Sequence, residues 1–68
     1  MKLIGYMAFG LDDDGNVVPL HQYAGLSVPE VKAAILAGAQ REGFRGSGEE
    51  RLQQLKWVIL PIYMEEIL

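Results

Sequence analysis

The chain has no cysteine, no threonine and a single histidine, and each shortage excludes a class of chemistry. Without cysteine there is no disulfide to staple a small fold and no cysteine-based zinc site. One histidine, His21, cannot build a His-rich metal centre. Long hydrophobic runs are missing too. The longest apolar, charge-free stretch is Trp57 to Met64, far below the roughly 20 residues of a membrane span. Basic charge is also scarce: six Lys and Arg stand against nine Asp and Glu, for a net charge of −3. General binding to a phosphate backbone needs a concentrated basic face, so nucleic acid is not an expected partner, and neither is a membrane. Nine acids in 68 residues is an ordinary acidic content and gives no reason to expect a nucleic-acid mimic. No catalytic, metal or cofactor signature names a reaction, and no cofactor is expected.

The lack of cysteine suits a reducing, cytoplasmic setting. The first residues do not read as a secretory leader, because Gly5, Tyr6 and Gly10 interrupt the apolar run and Asp12-Asp13-Asp14 ends it early.

What is present is apolar surface. Half of the residues are hydrophobic. A single domain of 68 residues, 1–68, buries only about 60% of the surface its unfolded chain exposes. Small natural domains make up the shortfall with disulfides, metals or subunits. With the first two removed, association is the expected staple.

Local patterning predicts the elements in order. Lys2 to Leu11 reads as a strand with Leu3, Met7, Phe9 and Leu11 on one face and Ile4, Tyr6 and Ala8 on the other. Both sets are apolar, which predicts a central strand, and Gly5 and Gly10 predict a bulge or a close backbone approach. Asp12-Asp13-Asp14-Gly15-Asn16 has hairpin-turn chemistry. Val17 to about Tyr23 is a second strand, placed at an edge by Pro19. Ser27-Val-Pro-Glu30 opens a helix with a capping box and an early proline. That helix runs to about Glu42 with a stripe of Val31, Ala34, Ile35, Gly38 and Ala39, stops at Gly43, and is closed by Phe44. Ser47 and Glu50 repeat the capping spacing and start a short helix to Leu55. Lys56 to about Met64 is the third strand, and Glu65 to Leu68 a fraying tail. The stretch from Glu49 to Leu68 also allows one helix kinked at Pro61. Trp-Val-Ile-Leu favours the strand, and a proline in a helix interior costs about 3 kcal/mol.

The expected fold is therefore a small α/β (α+β) domain, β-β-α-(short α)-β. Its three-stranded antiparallel sheet has order 2-1-3, with one main helix packed on one face. One helix leaves the other apolar face uncovered, which predicts a homodimer or another protein partner.

Four further features are candidate sites. The acidic turn fails the calcium-loop pattern, since counting from Asp12 puts Val17 and Tyr23 where a Gly and a Glu are required. Arg41, Arg45 and the Gly46-Ser47-Gly48 loop offer an anion-binding alternative at a helix N-terminus. His21 could serve as a general base only with a partner and a nucleophile, and both serines, Ser27 and Ser47, are better used as caps. Trp57, Tyr63, Tyr6 and Phe9 lack the interleaved Lys and Arg of a nucleic-acid stacking platform. The reading favoured by the sequence is a non-enzymatic, self-associating interaction module: an adaptor, subunit or inhibitor, of the kind found among phage and mobile-element regulators. Its expected contact residues are Tyr6, Trp57, Ile59 and Tyr63, with Arg45 and Arg51 at the polar rim.

Overall fold

The computed structural model describes residues 1–66. Its elements follow the order β1 (Lys2–Leu11), β2 (Val17–Gly25), α1 (Val28–Arg41), α2 (Gly48–Leu55) and β3 (Val58–Met64). The sheet order is β2-β1-β3, with both pairings to β1 antiparallel. The segment after Glu49 is thus a short helix followed by a strand, and the single kinked helix is set aside. Of the tail expected from Glu65 to Leu68, the last two residues lie outside the described residues.

The turn between β1 and β2 is organised by Asp12. Its Oδ1 accepts from the backbone N–H groups of Asp14 (2.9 Å) and Asn16 (2.8 Å), and its own N–H donates to Asn16 O (3.0 Å). Gly15 takes a positive φ of 83° there, which is why a glycine fits this position. Five turn residues close the hairpin with Leu11 opposite Val17.

Both helices are capped by their own side chains. Ser47 Oγ accepts from Glu50 N–H (3.1 Å), and Glu50 Oε1 accepts from Ser47 N–H (3.1 Å), so the box at α2 is reciprocal. At α1 only half of the expected box forms. Ser27 Oγ accepts from Glu30 N–H (3.3 Å), but the Glu30 carboxylate accepts from Leu26 N–H (3.0 Å), one residue earlier than the cap. The N–H groups of Gly43 and Phe44 donate to Gln40 O and Ala39 O, which closes α1 in a Schellman turn at Gly43, φ 94°. The end of α2 has the same form with a lysine in the left-handed position: Lys56 has φ 58°, and Trp57 N–H donates to Leu52 O (3.0 Å). This turn delays β3 to Val58, two residues later than the sequence suggests, and aims Trp57 at the helices.

Ala8, Val31 and Ile35 form the buried core, with Tyr6, Leu20, Tyr23, Leu52, Trp57 and Ile59 packed partly buried against it. Within α1 the buried stripe is Val31, Ile35 and Ala39 at four-residue spacing, while Ala34 is exposed. Helix and sheet come close because β1 is small where they meet. Ala8 is fully buried, and a Cβ on Gly10 would stand 2.9 Å from the Trp57 ring. Gly5 marks the other close approach: a Cβ there would lie 2.8 Å from Gly25 O, beside a register shift between Leu3 and Gly5. A larger irregularity interrupts β2, where Ala8 pairs with Leu20 but Met7 pairs with Ala24.

Candidate protein interface

Side chains alternate along a strand, so the register separates the two faces of the sheet. Ala8 stands opposite Leu20 and Ile59, and this set faces the helices. Met7, Phe9 and Leu11 stand opposite Ala24, Pro19 and Val17 on one side, and Leu60 and Val58 are aligned with Met7 and Phe9 on the other. This second set points away from both helices. Leu11 is 58% exposed, Val17 65%, Val58 52% and Leu60 44%. None of these residues carries a charge. Two hollows interrupt the face. One, about 210 Å³, is lined by Phe9, Leu11, Val17, Val58 and Leu60 with Lys56 at its margin, and the other, about 350 Å³, by Ile4, Met7, Ala24, Leu26 and Ile62 among others.

The contact residues read from sequence fall elsewhere. Tyr6, Trp57 and Ile59 pack against the core on the helix side, with the Trp57 and Tyr23 rings 5.5 Å apart and tilted by 41°. Alternation from Ile59 puts Tyr63 on that same side, opposite Leu3 and 53% exposed. Arg51 belongs to the helical layer. Its guanidinium lies over the Phe44 ring at 5.2 Å, donates to Gln54 Oε1 (2.8 Å), and pairs with Glu42 (3.3 Å). Arg45 is exposed in the loop between the helices. The two arginines therefore stand on the far side of the sheet from the open face and do not rim it.

The anion-site residues are engaged by the chain's own carboxylates. Glu50 fills the N-terminus of α2 by accepting from Ser47 N–H. Gly48 is buried against the Lys32 stem, and Lys32 Nζ pairs with Glu49 at 2.6 Å. That hydrogen bond, the backbone N–H of Glu49 and the lysine charge hold the Glu49 carboxyl below its ordinary range. Arg41 and Arg45 are exposed, and among the described residues no hydrogen bond or ion pair brings them to this terminus. His21 is exposed in the interrupted part of β2. Among the described residues no three His, Asp or Glu side chains come together as a metal site, and no helix is long and apolar enough to cross a membrane.

Comparison with protein-family models, with curated proteins and with solved structures finds no match.

The open face could have been found from the sequence. In β1, Ala8 and Gly10 alternate with Met7, Phe9 and Leu11. A helix with a small-residue stripe approaches the small side, which leaves the bulky side out.

Proposed function

We propose that this protein is a protein-binding module whose working surface is the open face of the sheet. The observation that carries the reading is the row Leu11, Val17, Val58 and Leu60, all large, uncharged and 44% exposed or more on one continuous face. A contiguous apolar surface on a small domain marks an interaction site, and interface cores are depleted of charge. Binding rather than catalysis also fits the way the polar groups are used. The serines cap helices, Asp12 builds a turn, and Arg51, Lys32, Glu42 and Glu49 are paired on the helical layer. A cytoplasmic setting fits a fold stapled by association instead of disulfides.

A photo-crosslinking residue at position 60, expressed in the native host, tests this. Adducts with protein are expected from Leu60→p-benzoylphenylalanine and not from the same replacement at Gln40, which is exposed on α1. Absence of any protein adduct from position 60 rejects the reading.

A further inference from the structure

We infer that the occupant of the open face is a second copy of this chain, packed face to face so that two sheets form the centre of a helix–sheet–sheet–helix sandwich. The inference rests on the proposed interaction surface and adds its partner and geometry.

Three observations support it. The first is area. The chain exposes 5117 Å², against roughly 4,250 Å² for a compact monomer of 7.5 kDa. Its radius of gyration is 13.2 Å, where a compact domain of this length has about 11 Å. The surplus, which belongs to the flat 48 × 28 × 16 Å molecule as a whole, is of the order of the roughly 800 Å² that each partner contributes to a standard stable interface.

The second is self-complementarity. A two-fold contact sets a patch against itself, so any charge on it meets its own copy or a near neighbour. Leu11, Val17, Val58, Leu60, Met7 and Phe9 offer no charge to repel, and the two lysines on this side, Lys2 opposite Met64 and Lys56 at the margin of one hollow, stand at strand ends. Acidic groups are kept to the ends of the strands, with Asp12 to Asp14 beyond β1 and Glu65 and Glu66 beyond β3.

The third observation selects the face over the edge. The sheet has two outer strands, and each carries one proline, Pro19 in β2 and Pro61 in β3, while β1 has none. The register with β1 runs unbroken through both prolines, as it does when the missing N–H lies on the outer side. The register jump from Leu20 to Ala24 further breaks the outer edge of β2. Proline and irregular backbone are the devices that blunt an edge against strand addition. With both edges blunted, the broad apolar face is the surface left to pair.

The test is sedimentation and native mass measurement of the purified chain over a dilution series, with Leu60→Lys and Leu11→Lys beside it. The wild type is expected at twice 7.5 kDa at micromolar concentration. Each lysine should weaken association by roughly a hundredfold or more, since it buries an unpaired charge, while the far-ultraviolet circular dichroism of the monomer is kept. Two variants at separate exposed positions guard against one failing to fold. A wild type that stays at 7.5 kDa at every concentration overturns self-pairing. So does a dimer whose strength neither lysine changes, or one in which dilution frees the outer-edge amides of β2 and β3 to exchange. The crosslink at position 60 separates this failure from that of the interaction reading. Adducts of twice the chain mass support self-pairing, whereas adducts only with other proteins overturn it and leave the interaction surface standing.

Discussion

The two faces of one sheet are built from alternate residues of the same strands, yet they have opposite fates. Toward the helices β1 presents Ala8, fully buried, and Gly10, which receives the Trp57 ring. Toward the other side it presents Met7, Phe9 and Leu11, with Val58 and Leu60 alongside and no helix above them among the described residues. Apolarity does not distinguish the faces, because both are apolar. Side-chain size does at the centre of β1, where Ala8 and Gly10 alternate with Met7, Phe9 and Leu11. A helix whose stripe is Val31, Ile35 and Ala39 sits close to a sheet only where the sheet is flat, and bulky residues hold it off. Ala8 and Gly10 thus let the helix come close, while the larger Tyr6, Leu20, Tyr23, Trp57 and Ile59 pack partly buried against the core beside them.

The sharpest contrast between the faces should come from truncating one large side chain on each. Ile35→Ala removes one of the two largest fully buried side chains and should cost about 3 kcal/mol in urea unfolding, at any protein concentration. Leu60→Ala, on the open face, should move the unfolding of the dilute monomer by less than about 0.5 kcal/mol. Equal effects would erase the distinction between the faces. Gly10→Ala probes the fit that makes one face coverable. Its Cβ would press on Trp57 at 2.9 Å, and overpacking of this kind costs about 2 kcal/mol, with a changed near-ultraviolet signal from the displaced indole.

Lys56→Gly should act in the opposite direction. Lys56 sits in left-handed backbone at φ 58°, and glycine there relieves steric strain at a smaller entropic cost, for a net gain of about 0.5 kcal/mol in melting experiments. The smallest effect lies between the two helices. Lys32 holds the Glu49 carboxyl below its ordinary value, so its contribution is present above the unfolded-state pKa and is lost as pH falls through the folded one. Glu49→Gln should remove that step from an acid-unfolding titration. An unchanged titration would show that the pair does not form in solution.

Much of this arrangement was legible in the chain, for local reasons. The limits of β1 and α2, the sheet order and the stop at Gly43 follow from period, capping and turn chemistry, all of which act over a few residues. Distinctions that depend on distant contacts were harder to read. Tyr6, Trp57 and Ile59 read as contact anchors because aromatic and β-branched residues serve equally well in a core, and only the packing of the helices places them, partly buried, against Ala8, Val31 and Ile35. The half-formed box at Ser27 escaped notice because Leu26 N–H, not Ser27 N–H, is the donor that Glu30 meets. The register jump in β2 leaves no local mark, since His21, Gln22 and Tyr23 suit a regular strand as well as an interrupted one.

Pro19 and Pro61 bear on growth as well as on geometry. Strand addition at a sheet margin reproduces a fresh margin each time, so it can continue into a ribbon. Two broad surfaces that meet are both consumed, and stacking stops there. By blunting both outer strands, the two prolines disfavour the first route, the one that leads to fibre.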